Sequence, residues 1–229
     1  GMKVMDIKNK PKDIKKLQSL AAVGQQKLML MYEKLFSEYD FQTAQVLITH
    51  NDINDRVRYL NIKGTLEELL NNGVIPIINE NDVVSTEEIK FGDNDNLASM
   101  IANLVDADLL IILTDQKGMY DKNPDSYKDA KLINRIKIEN LKEFDSDFST
   151  HSDIGTGGFI TKIQAAKRAD LSNTYTVIAN GLEKNILNNI FTNNDAGTLF
   201  IPSEKKISAK KQWLDTTDSR GSIIIDDGA

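Results

Sequence analysis

Four clusters hold the residues whose types and spacing could do chemistry. Asn79-Glu80-Asn81-Asp82 follows the apolar run at 74–78, and Thr114-Asp115-Gln116-Lys117-Gly118 follows the apolar run at 109–113. Gly92-Asp93-Asn94-Asp95-Asn96 stands just before a helical pattern, and Gly155-Thr156-Gly157-Gly158-Phe159-Ile160-Thr161-Lys162 leads into another. The glycine-rich turn suggests an anion site. Glycines let successive backbone N–H groups point into one concavity, and a helix N-terminus adds partial positive charge. Lys162, at the start of that helix, supplies a full charge for phosphoryl oxygens. The spacing is not G-x-x-x-x-G-K-[ST], so this is no Walker A loop. Taken singly, a glycine turn before a helix is more often an ordinary loop and N-cap, and Asn-Asp runs favour turns because their side chains bond nearby backbone. All four clusters fall at the ligand edge of an α/β sheet, beyond the carboxyl ends of its strands. One shared site explains that better than four coincidences.

The elements that must position these clusters alternate. Leu17, Leu20, Ala21, Leu28, Met31, Leu35 and Phe36 recur at three- and four-residue steps, predicting an amphipathic helix over 12–39, bent at Gly24. Strands are predicted at 44–49, 74–78, 109–113, 175–179 and 198–201. Helices are predicted at 96–105, 161–171 and 183–191, with a short one at 139–144. The polar segment 54–72 becomes helical from Thr65 and stops at Asn72-Gly73. Each strand is a continuous apolar run, so the class is α/β, with a mainly parallel sheet sandwiched by helices. After Pro202 a charged linker precedes an apolar run at 222–225. Residues 1–204 therefore read as one domain, and 205–229 as a linker and the opening strand of a truncated second one.

Composition narrows the classes of function. The 229 residues are 40% hydrophobic and 27% charged, as in a soluble globular protein. No apolar run approaches the roughly 20 residues of a membrane span, and the polar, lysine-rich first residues carry no secretory signal. The absence of cysteine excludes disulfides, zinc thiolates and thiol nucleophiles and fits a cytoplasmic location. A net charge of −6 argues against nucleic-acid binding. The lysine clusters at 8–16 and 205–211 read as solvated faces. His50 and His151 have no partners at metal-ligand spacing, so no protein metal site is expected.

LAAVGQ (20–25), VIPIINENDVV (74–84), FGDNDNLA (91–98), LTDQKGMY (113–120), GTGGFITK (155–162) and GTLF (197–200) resemble the glutamate 5-kinases of the amino-acid kinase family, in that family's order and approximate spacing. The resemblance covers about 1–202. INENDxV combined with FGDNDNL is specific to these enzymes, whereas GTGGxxTK and the Thr-Asp pair are shared more loosely among amino-acid kinases. It implies phosphorylation of the glutamate side-chain carboxylate by ATP with Mg²⁺. That is the first step of proline synthesis, with proline as feedback inhibitor and a homo-oligomeric enzyme. Asp82 and Asn94 should then hold glutamate, with Asn79 beside them. Thr114 and Asp115 should contact ATP, as should Thr156, Gly157, Gly158, Phe159, Ile160, Thr161 and Lys162. Lys162 should face the phosphates, and Asp95 should orient the catalytic lysines.

The front departs from that pattern. The family's first strand, its lysine-containing glycine loop and its Ser-Gly-Ala substrate loop have no match, and GMKVM resembles the residues that follow the latter. The tail resembles the linker into a small C-terminal PUA domain. This chain alone is therefore expected to be inactive. The rival readings are an amino-acid kinase for acetylglutamate, aspartate, carbamate or UMP, against which the NEND and GDNDN pair argues, and a non-catalytic amino-acid or nucleotide sensor.

Overall fold

Asp13 starts the first long helix, α1 (Ile14–Ser37), by accepting the Lys16 N–H at 2.9 Å. The computed structural model describes residues 1–84, 93–122, 124, 126–143, 158–192, 196–203, 207, 211 and 213. After α1, β1 (Gln42–Ile48) and β2 (Val74–Glu80) pair in parallel, with Leu47 opposite Asn79 and Ile48 opposite Glu80. Asn79 and Glu80, expected to follow the strand, are thus its last two residues.

Between these strands lie α2 (His50–Asn54) and α3 (Arg56–Asn71). The helix expected from Thr65 begins well before it, because two caps override the polar composition. Thr49 and Asp52 form a reciprocal capping box, and Asp55 accepts the N–H groups of Val57 and Arg58 at 3.0 and 2.9 Å. Burial would raise the Asp52 carboxyl, but hydrogen bonds from the Thr49 hydroxyl and from Arg58 outweigh it and hold the group below its ordinary 3.8. An acid with a lowered folded pKa stabilises the fold above its unfolded value and loses that contribution as pH falls through the folded one. Asp52→Ala is therefore expected to remove about 1 kcal/mol at neutral pH, read from urea midpoints. The gap from the unsubstituted protein should close as the solution is acidified below pH 3.8.

The second sheet contains β3 (Leu109–Thr114), β4 (Arg135–Lys137), β5 (Tyr175–Asn180) and β6 (Thr198–Ile201), in the order β3-β5-β6-β4. The pairs β3–β5 and β4–β6 are parallel, while β5–β6 is antiparallel. The buried Thr198 gives the reason. Its hydroxyl accepts from the Met119 N–H at 2.8 Å and donates to the Ile133 carbonyl at 2.6 Å, so β6 starts beside the loop leaving β3 and must run back. Two glycines allow this approach. A Cβ on Gly118 (φ +149°) would lie 2.6 Å from the Thr198 hydroxyl, and one on Gly197 (φ +117°) 2.4 Å from the Ile178 carbonyl. The mainly parallel sheet inferred from the sequence is, among the described residues, divided into two sheets, with three parallel strand pairings and one antiparallel.

The remaining helices are α4 (Asp93–Leu104), α5 (Gly158–Ala169) and α6 (Ile186–Thr192). The short helix expected at 139–144 is a 3₁₀ helix, Ile138–Glu143. One core cluster, including Ile112, Met119, Ile163, Ala166, Ile178 and Phe200, lies between the four-stranded sheet and α5. A second, including Ile48, Tyr59, Leu66, Leu97, Met100 and Leu104, joins α3 and α4 to β1. α4 packs against β2, β3 and α5 and so connects the two sheets. Beyond Pro202, Ser203 is held by Asp170 at 2.6 and 3.0 Å, and the Trp213 indole donates to the Ile53 carbonyl at 3.1 Å. The strand expected at 222–225 lies outside the described residues. No helix among the described residues is long and apolar enough to cross a membrane.

Candidate active site

α4 and α5 run side by side in the same direction, a relation fixed by polar ties at both ends. At one end Asp95 Oδ2 accepts from the Thr161 hydroxyl at 2.8 Å and from Lys162 Nζ at 3.0 Å. At the other, Asn103 Nδ2 donates to the Arg168 carbonyl at 3.0 Å, and the Ser172 hydroxyl donates to Asn103 Oδ1. Each helix packs against the strand it leads into, α4 against β3 and α5 against β5. Both N-termini therefore lie toward the carboxyl ends of those strands, and their dipoles converge there.

Lys162 is a cation in the first turns of a helix, where the macrodipole disfavours it. Helical side chains lean toward the N-terminus, so its ammonium reaches back to the start of α5. Asp95 compensates it there. The two side chains are only 15% and 16% exposed, a setting in which charge is weakly screened. Two helix N-termini with a half-buried ammonium at their junction are chemically suited to anionic oxygens.

The tip of β2 forms a different kind of site. A cavity of about 370 Å³ opens between α1, β1 and the residues ending β2. Glu33, Glu80 and Asp82 contribute carboxylates, Gln25 and Gln45 amides, and Ala21, Ala22, Met29 and Leu47 apolar wall. No lysine or arginine stands among its described lining residues, so the cavity favours a cationic group. Glu80 also faces His50, with Nδ1 3.6 Å from its carboxylate. Gln25, which lines the cavity, accepts from Asn79 Nδ2 at 2.9 Å through Oε1, while its Nε2 is buried with no acceptor among the described residues. Such an orphan donor costs about 1–3 kcal/mol.

Strands β3 and β5 end together at the paired residues Thr114 and Asn180. The Thr114 hydroxyl donates to Asp115 Oδ1 at 3.1 Å, and its carbonyl accepts the Gly181 N–H at 2.8 Å. Asn180 Oδ1 in turn accepts the Leu182 N–H at 2.9 Å. Asn180 and Gly181 were missed in the sequence because their strand is followed by a short, ordinary-looking turn. An Asn-Gly pair ending an apolar strand is the signal that could have found them. Within LAAVGQ the sequence alone gives Gln25 no role.

The other expected site residues are spread over several places. Asn94 is exposed on the first turn of α4, on a different element from Asp82. Gly158 opens α5, Phe159 packs against the first core cluster, and Ile160 is exposed. Thr156 and Gly157 lie outside the described residues.

Comparison with known proteins is consistent across sequence and structure. The sequence profile of the amino acid kinase family matches residues 2–180. The glutamate 5-kinase of Thermoanaerobacter sp. (strain X514) is 50% identical over 230 residues, covering 100% of this chain and 62% of that protein. That of Marinomonas sp. (strain MWYL1) is 45% identical with the same coverage. The chain thus spans about three-fifths of the length of these relatives. Among solved structures, E. coli aspartokinase III in complex with aspartate and ADP superposes with a TM-score of 0.56 at 20% identity, covering 86% of this chain and 42% of that one. At that identity the likeness concerns the fold.

Proposed function

This chain belongs to the amino acid kinase family, and from that premise we propose that the protein containing it transfers the γ-phosphoryl group of ATP to the side-chain carboxylate of glutamate. The observation that carries the proposal is the Asp95–Thr161–Lys162 cluster at the converging N-termini of α4 and α5. The relatives named glutamate 5-kinase favour glutamate as the acceptor.

In this reading the phosphates meet Lys162, the N-terminus of α5 and the loop before it, including Thr156, Gly157 and Gly158. Thr114 and Asp115 at the tip of β3 contact the nucleotide. Asp82 receives the ammonium group of glutamate, with Asn79 and Asn94 completing the amino-acid site. The substrate carboxylate is already an anionic nucleophile, so no general base is required. One of its oxygens forms the new P–O bond as the bond to the leaving ADP oxygen breaks. The barrier lies in aligning two like charges, and positioning with fixed positive potential lowers it. Lys162 neutralises charge spreading over the transferred group, and Asp95 holds Lys162 in place.

No group of three or more acidic or histidine side chains able to cage a metal occurs among the described residues. Mg²⁺ needs none when phosphates, water and one or two carboxylates hold it. Asp95 and Asp115 are the carboxylates at that edge suited to the task. When bound, the ion supplies further neutralisation of phosphate charge. Residues 1–204 would be the kinase domain and 205–229 the entry to a second one. A cytoplasmic homo-oligomer feeding proline synthesis, with proline as inhibitor, completes the proposal.

The test is ADP release by the full-length protein with Mg²⁺-ATP and glutamate, aspartate or acetylglutamate. Turnover with glutamate alone is expected. Turnover confined to another acceptor would reassign the substrate, and binding of ATP and glutamate without turnover would make the protein a sensor.

A further inference from the structure

We infer that Gln25 is a positioning residue of the amino-acid site, holding the Asn79 amide in the orientation that meets the acceptor substrate; this rests on the reading of the β2 tip proposed above. Two observations carry it. Gln25 reaches from α1 to the end of β2, where its Oε1 accepts from Asn79 Nδ2 at 2.9 Å, and it lines the same cavity as Asp82. Its own Nε2 is buried with no acceptor among the described residues.

A helix needs no such arrangement to pack on a sheet. Methionine has similar length and volume and would fill the same space, removing the orphaned Nε2 at the cost of the acceptor for Asn79 Nδ2. Relief of one unsatisfied donor offsets loss of the other's acceptor, so the net change in stability is expected to be small. A side chain unsatisfied at one end while it fixes a polar neighbour beside a cavity breaks a local rule of packing, and such breaks concentrate at functional sites.

The consequence falls on Asn79. The last torsion of an asparagine is broad and nearly two-fold, so a free amide presents either its oxygen or its nitrogen. With Nδ2 engaged by Gln25, Oδ1 is the atom left to accept. Asn79 Oδ1 and the Asp82 carboxylate then offer acceptors to the ammonium group of an amino acid. Without Gln25 the amide can turn its donors toward that ammonium and repel it.

The experiment compares Gln25→Met and Gln25→Glu in the full-length protein. Gln25→Met is expected to raise the glutamate KM about tenfold or more, with kcat and the ATP KM within about threefold and Tm lowered by no more than about 2 °C. Gln25→Glu keeps an acceptor at the same reach and is expected to return the glutamate KM to within about threefold of the unsubstituted value. A side chain that merely ties α1 to β2 gives the reverse pattern, a lower Tm with unchanged glutamate KM. That result overturns the inference, as does a Gln25→Glu variant as impaired as Gln25→Met. Should Gln25→Met fail to fold, Gln25→Asn serves in its place, since it retains an amide too short to reach Asn79, and the same rise in KM is expected. The unsubstituted protein is assayed first. Turnover with a different acceptor overturns the substrate assignment alone, and Gln25 is then judged on the KM for that acceptor. If no acceptor is turned over, the glutamate dissociation constant from calorimetry replaces KM, and absence of binding overturns both.

Discussion

Lys162→Ala is expected to lower kcat by about 10²–10³ while moving the glutamate KM by no more than about threefold. Lys162 lies 3.0 Å from Asp95 and close to the start of α5, where a helix dipole opposes a cation. A lysine kept there gains most when negative charge arrives. In phosphoryl transfer that charge is greatest in the transition state, spread over the equatorial oxygens of the moving group. An interaction stronger in the transition state than in the ground state appears in kcat. In the proposed reading glutamate binds at the β2 tip and not beside Lys162, so its KM should be largely spared. Asp95→Asn should lose less than Lys162→Ala, because it loosens the ammonium without removing it. The double variant should be little worse than Lys162→Ala alone, since residues acting as a unit are not additive. Steady-state rates of ADP release check all three. A Lys162→Ala enzyme with near-normal turnover would take this residue out of the mechanism.

The strands that carry the candidate site were legible in the sequence because continuous apolar runs followed by polar clusters announce themselves locally. The run at 109–113 and the polar residues after it need no partner to be recognised, and β3 ends at Thr114, one residue later. Contacts made at long range were not legible. Asp95 and Lys162 are 67 positions apart, and their pairing was expected from the family resemblance alone; neither spacing nor periodicity brings them together, whereas the packing of α4 on α5 does. Gln25 and Asn79 are 54 apart, and nothing in LAAVGQ indicates that its last residue bonds to the end of β2. β4 escaped notice because three residues with one buried side chain, Ile136, carry too little periodicity to read. The early start of α3 was hidden for another reason. Its first turns place exposed Val57 and Leu60 among charged residues, so the apolar residues that do pack, Tyr59 and Ile62, form no clear stripe, and Asp55 as cap sets the start.

Asp82→Ala is expected to show the opposite kinetic signature, a rise in the glutamate KM of roughly 10²-fold with the ATP KM and kcat little changed. Asp82 lines a cavity whose described wall carries three carboxylates and no basic side chain. A dicarboxylate such as glutamate is not drawn there by its net charge. In the proposed reading its ammonium group is the part that the acidic wall receives, which leaves the side-chain carboxylate to extend toward the phosphates. Removing one partner of a hydrogen-bonded charge pair in such a setting costs about 3 kcal/mol, which is roughly 10²-fold in affinity. Asp82→Asn separates charge from shape. It keeps the size and an acceptor oxygen but loses the negative charge, so it should lose nearly as much as alanine if the partner is an ammonium. Calorimetry with glutamate and with ATP on the same variants provides the check. Equal weakening of both ligands would mean that Asp82 supports the fold around the site, and an Asn variant with normal glutamate affinity would mean that the cavity receives no cation at this position.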